Sequence, residues 1–129
     1  LTPVEGVPAE SYLALAARYG YAAHEVLALA AERGELAQPI VPGLPDLLAE
    51  ATLAARREQA RSIGDVLLRR TRLGLLAARA LTVGDGGAHG PVERVADVLA
   101  GELGWDAART RQEVERFAQE AHAEGLLAS

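Results

Sequence analysis

The stretch from Ser62 to Leu76, SIGDVLLRRTRLGLL, limits the fold more than any other part of the chain. Ser62 followed by Asp65 is a helix-start signal related to the capping box. The helix it opens carries Arg69, Arg70 and Arg72 around Thr71, between Val66-Leu67-Leu68 and Leu73-Leu75-Leu76. Adjacent arginines cannot share one face, because with about 3.6 residues per turn they point about 100° apart. At least one is therefore expected to point into the protein. A guanidinium there needs carboxylates or carbonyls, since leaving a buried charge unpaired costs several kcal/mol, roughly. Glu58 and Asp65 are the nearest acids in sequence.

The rest of the composition agrees with helices. Alanine dominates the apolar half, aromatics and β-branched residues are few, and no stretch reads convincingly as a strand. A chain of 129 residues fits one domain, and domains of that size bury about two thirds of their unfolded surface without disulfide or metal support. There is no Cys, which excludes disulfides and thiolate zinc sites. The 13 basic residues are all Arg, against 18 acids, for a net charge of −5. That balance argues against nucleic acid as a partner, whose nonspecific binding rests on clustered positive charge. No run reaches the roughly 18 apolar residues of a membrane span. The chain begins at Leu1 and has no Met, so a piece of a longer protein is the simpler expectation.

Taken in order, residues 1–8 read as an extended linker stump and 9–129 as a single helical domain. Pro8-Ala9-Glu10 opens a first helix with Tyr12, Leu15, Ala16 and Tyr19 on its inner face, and Gly20 suits its left-handed end. A second helix, Tyr21 to Arg33, turns Ala23, Val26, Leu27 and Ala30 inward and stops at Gly34. The prolines of Gln38 to Pro45, QPIVPGLP, forbid a helix and predict a crossover loop. A third helix from Asp46 to Gln59 or Ala60 buries Leu47, Leu48, Ala51, Ala54 and Ala55, with Glu50 and Glu58 off that face or at its edge.

After the arginine helix, TVGDGGAHG over Thr82 to Gly90 predicts a solvent loop, lacking the Lys of a P-loop and the carboxylates of a calcium loop. Pro91 opens a fifth helix that buries Val92, Val95, Ala96, Leu99 and Leu103 and ends at Gly104. Trp105 is expected in the core and Asp106 as the cap of a last helix to Glu124. That helix is expected to bury Ala107, Val114, Phe117, Ala118 and Ala121, with Glu113, Glu115, Glu120 and Glu124 on its exterior. The fold expected is all-α, about six helices in an orthogonal bundle, with the Gly-rich loop between the fourth and fifth.

Chemistry of its own is hard to find. His24, His89 and His122 lie far apart without ligand-spaced partners, so no metal site is expected. Ser11, Ser62 and Ser129 have no triad companions, and no G-x-G-x-x-G follows a strand, so no catalytic or cofactor-binding residue is assigned.

The run from Arg57 to Gly74 resembles the C-terminal helical domain of aerobic, FAD-dependent glycerol-3-phosphate dehydrogenases and the related alpha-glycerophosphate oxidases. Glu58, Arg61, Asp65, Arg69, Arg70 and Thr71 fill its Glu, Arg and D-x-L-x-R-R-T places. Arg18-Tyr19-Gly20, the Pro-Gly-Leu-Pro segment and Leu103-Gly104-Trp105-Asp106 are further similar landmarks, whereas the Gly-rich loop looks like an insertion.

The resemblance implies an inactive cap whose parent oxidises sn-glycerol 3-phosphate to dihydroxyacetone phosphate with FAD held elsewhere. It also implies that the cap's partner is the N-terminal FAD and substrate domain of the same polypeptide. Glu58, Arg61, Arg69, Arg70 and Thr71 then become candidate interdomain or substrate-phosphate contacts. The expected location is the cytoplasm. Peripheral attachment of the parent to the inner face of the cell membrane, homo-oligomerisation and the electron acceptor, quinone or oxygen, are left open. The other class considered is a free-standing helical interaction or helix-turn-helix regulatory module, with Arg69 to Arg72 on a recognition helix.

Overall fold

A computed structural model of the chain describes residues 4–41, 45–70 and 90–123. Among these residues the structure is all-α, with five α-helices, one π-helical segment and two short 3₁₀ turns. The chain forms two compact units, Leu1–Leu53 and Ala54–Ser129.

In the first unit, α1 spans Ala9–Tyr19 and α2 spans Ala23–Glu32, joined by a 3₁₀ turn at Gly20–Ala22. Gly20 takes φ 58° and its N–H donates to Ala16 O, the left-handed exit that glycine adopts without a Cβ clash. The inner stripe of α2 is the expected one: Ala23, Val26, Leu27 and Ala30 are all buried. On α1 the expectation needs correcting. Ser11 and Leu15 are buried, whereas Ala16 is exposed and Leu13 is 79% exposed. The alanines of α1 surround the helix, so its apolar periodicity marks no single face.

Two polar ties order the irregular parts of this unit. The Tyr12 hydroxyl accepts from Val4 N–H at 2.7 Å and donates to Val4 O at 3.1 Å, fixing the residues that precede α1. The proline-rich connection is non-helical where it is described, as its sequence predicts. It is also paired with itself through an antiparallel bridge between Pro39 and Leu47. Ile40 N–H donates to Asp46 O and Leu48 N–H to Gln38 O. A third helix, α3, spans Ala49–Arg57 and begins in this unit.

In the second unit α3 stops at Arg57 and is followed by Gln59, a non-glycine residue at φ 60°. The N–H groups of Glu58 and Ala60 both close onto Ala54 O. Asp65–Arg70 then winds as a π helix. Helix α4, Pro91–Leu103, buries Val92, Val95, Ala96 and Leu99, while Leu103 is only half-buried. It packs against α5, Ala107–Ala123. On α5 Phe117 and Ala121 are buried as expected, but Ala107 is exposed and Val114 and Ala118 are half-buried. Glu113, expected outside, is buried. The Gly-rich loop and the second half of the arginine helix lie outside the described residues.

Candidate functional site

Two polar constellations stand out, one in each unit. In the first, Arg18 at the end of α1 reaches two acids with one nitrogen, Asp46 just before α3 and Glu50 in its first turn. Its Nη1 donates to Asp46 Oδ1 at 2.6 Å and also to Glu50 Oε1. Tyr19 adds its hydroxyl to Glu50 Oε1 at 2.9 Å, and Leu47 N–H donates to Glu50 Oε2 at 2.8 Å. The contact to Leu47 is the reciprocal half of a capping box, made by a Glu three residues into the turn.

Glu50 has no exposed surface. Burial pushes its carboxyl above the ordinary range, while Arg18, Leu47 N–H and Tyr19 pull it partly back. Burial also works to lower the Arg18 guanidinium, but Glu50 and Asp46 together hold it above its ordinary value. The guanidinium therefore stays charged. Ser11 completes the group by donating to Pro45 O at 2.7 Å. This constellation fastens the proline-rich connection to α1 and offers no free nucleophile or base.

The second constellation is an open cleft of about 610 Å³, lined by Arg61, Trp105, Arg109 and the residues around them at the α4–α5 corner. Gly104 shapes that corner at φ 74°, with the N–H groups of Gly104 and Trp105 both directed to Ala100 O. Asp106 then caps α5, as its sequence position predicts, by accepting Arg109 N–H at 2.7 Å. One turn along α5, Arg109 lays its guanidinium 5.7 Å from the centre of the Trp105 ring and bonds Glu113 through Nε at 2.8 Å. Trp105 is thus a half-buried wall of the cleft rather than the core anchor expected of it.

Arg61 enters from the joint between α3 and the π helix. Its N–H donates to Asp65 Oδ2 at 2.9 Å while Asp65 N–H donates to Ser62 Oγ at 3.1 Å, so the helix-start signal read from Ser62 and Asp65 is real. The Arg61 guanidinium uses Nη1 on two carbonyls, Ala60 O at 3.0 Å and Ala55 O at 3.3 Å. Two stretches far apart in sequence, the run after Arg57 and the Leu103–Asp106 turn, therefore meet at one cleft. Among its lining residues no nucleophile is paired with a base.

The family model for the C-terminal domain of alpha-glycerophosphate oxidase matches residues 2–110. The chain belongs to this family. The mitochondrial glycerol-3-phosphate dehydrogenase of Arabidopsis thaliana is 36% identical over 102 residues, covering 76% of this chain and 14% of that protein. Glycerol-3-phosphate dehydrogenase 2 of Mycobacterium tuberculosis is 35% identical over 112 residues, covering 84% of this chain and 17% of its own length. A glycerol-3-phosphate dehydrogenase of Synechocystis is 27% identical over 99 residues, covering 77% of the chain and again 17% of the relative. The chain thus spans well under a fifth of the curated relatives it matches. No solved structure matches it.

Within this oxidase C-terminal domain the expected contact residues separate. Arg61 lines the cleft. Glu58 is exposed at the end of α3 and is not among the cleft residues. Arg69 and Arg70 close the π helix by their backbones, but their side chains, with Thr71 and Arg72, lie outside the described residues. Sequence reasoning missed Glu50, Arg18 and Arg109. Glu50 had a usable signal: it shares the stripe of Leu47 and Ala54 at i+3 and i+7, where a carboxylate needs a buried partner.

Proposed function

We propose that the chain is the C-terminal cap of an FAD-dependent glycerol-3-phosphate dehydrogenase that oxidises sn-glycerol 3-phosphate to dihydroxyacetone phosphate. The observation that carries this reading is the oxidase C-terminal domain match over residues 2–110, together with dehydrogenase relatives several times longer than the chain. On this reading FAD and the hydride chemistry belong to the N-terminal part of the parent, as the family resemblance implies.

The domain's own contribution is then structural: it presents Arg61 and the Trp105 corner, with Glu58, Arg69, Arg70 and Thr71 as further candidate contacts to the flavin part or the substrate phosphate. Among the described residues no helix is long and apolar enough to cross a membrane. The location proposed for the parent is the cytoplasm, with attachment at the inner face of the cell membrane left open. The family match does not favour a free-standing regulatory module.

The test is to co-express residues 1–129 and the remainder of the parent as two pieces and assay glycerol 3-phosphate oxidation by dye reduction. A cap restores or raises flavin-dependent turnover and co-purifies with the flavin piece. Two folded pieces that neither associate nor alter turnover would overturn the reading.

A further inference from the structure

The charges around the Trp105 cleft are unequally matched. Glu102 is engaged by Arg56, whose Nε and Nη2 meet its two oxygens at 2.7 and 3.1 Å. Asp106 accepts the Arg109 N–H at 2.7 Å, and Glu113 takes the Arg109 Nε at 2.8 Å. Arg61 differs from all of these. Its Nη1 rests on the carbonyls of Ala55 and Ala60, and its guanidinium meets no carboxylate among the described residues. Two carbonyls fix the plane of the group while Nε and Nη2 keep their donors. A planar fork held in this way is suited to a carboxylate.

We propose that this cleft receives an acidic side chain from the N-terminal remainder of the parent polypeptide, with Arg61 as the chief donor and Arg109, stacked on Trp105, as the second. The proposal rests on reading the chain as a cap. It is a docking contact rather than a small-molecule site for a physical reason. One guanidinium without a carboxylate partner, in an open cleft whose lining also includes the Asp106 carboxylate, is too few donors to hold a freely diffusing anion firmly. A tethered group needs far less, because its effective concentration is on the order of millimolar. Most of each relative's length lies outside the matched segment, so such a tethered partner is at hand.

The chain contains no lysine, which makes the test specific. Arg61→Lys in the full-length parent places one side-chain amine within residues 1–129, and carbodiimide joins an amine to a touching carboxylate without a spacer. The expected product is an intramolecular link from position 61 to an Asp or Glu outside residues 1–129, with its yield reduced by Arg109→Ala. Links only to Glu102 or Asp106, a link to a second copy that grows with protein concentration, or no link would each overturn the proposal. So would inorganic phosphate blocking the link at concentrations where chloride does not, since the cleft would then be a phosphate site.

Hydrogen exchange on the isolated chain and on the full-length protein separates this failure from that of the cap reading. Slowed exchange elsewhere in the domain, with no outside link at position 61, would overturn the cleft contact and leave the cap. Unchanged exchange throughout, with no link, would overturn both.

Discussion

Tyr19 donates to the same oxygen of Glu50 that receives Arg18, at 2.9 Å, so adjacent residues of α1 converge on one buried acceptor of α3. The Arg-Tyr-Gly turn thereby acquires a structural reason for each member. Arg18 and Tyr19 supply the two donors, and Gly20 supplies the positive φ that ends the helix directly after them.

Glu50→Ala is expected to be among the most damaging single changes in the chain. It leaves the Tyr19 hydroxyl and Leu47 N–H without their acceptor and Arg18 with Asp46 alone. Taking away the acceptor of buried donors costs about 1–3 kcal/mol for each donor left unsatisfied. Tyr19→Phe removes one neutral donor and should cost about 1 kcal/mol. Urea unfolding of the 129-residue chain measures both, and equal small effects would contradict the geometry.

The raised carboxyl of Glu50 makes a pH prediction with a definite sign. Burial holds its proton in the folded chain at a pH where the unfolded chain has released it at the ordinary 4.5. The folded state binds more protons in that window, so stability falls as pH rises. The contribution is complete below 4.5 and is lost as pH climbs through the raised value. Arg18 remains charged throughout and adds no slope. Melting curves from acid towards neutral pH should show the wild type losing ground to Glu50→Gln, whatever their absolute order. Parallel curves would mean that Glu50 titrates normally.

What was legible in the sequence was local. Gly20, Ser62, Gly104 and Asp106 end or start helices through bonds within a few residues, and the i, i+3, i+4, i+7 stripe of α2 needs no knowledge of its surroundings. The partners of the buried acids were not legible. Glu50 is buried because Arg18 lies 32 residues away in sequence and beside it in space. Glu113 is buried and bonded by Arg109, and the same arginine lies over the Trp105 ring. Arg61 is a candidate contact through the resemblance of its run of neighbours, and its role there is a proposal. Its company with the Trp105 corner was not legible, because nothing in either segment points to the other.

Gly64 sits where a Cβ would come 3.0 Å from both carboxylate oxygens of Glu120. Alanine ordinarily favours a helix over glycine by about 1 kcal/mol. Here that gain has to be set against displacing Glu120 from its half-buried place. Gly64→Ala should therefore stabilise the chain by less than the full amount of about 1 kcal/mol, and in the Glu120→Ala background the same change should recover more of that gain. A double-mutant cycle reads the coupling directly, with about 1 kcal/mol expected for groups in contact. Additive effects would show that the two residues do not press on one another.

Gln59 offers a stabilising change at a position the sequence does not advertise. Its side chain predicts helix, and α3 was expected to run to Gln59 or Ala60. The helix instead stops at Arg57 and Gln59 turns left-handed at φ 60°. The N–H groups of Glu58 and Ala60 then close on Ala54 O, and that closure starts the chain towards the Arg61 joint. A residue with a Cβ is strained in this conformation by about 1–2 kcal/mol, and glycine is not. Part of the relief is lost because glycine also makes the unfolded chain more flexible. Gln59→Gly should stabilise the chain by about 0.5–1 kcal/mol net. Gln59→Val, β-branched at the same φ, should cost at least as much in the opposite direction. If both substitutions destabilise equally in urea unfolding, the turn is not held at positive φ and the path from α3 to Arg61 must differ.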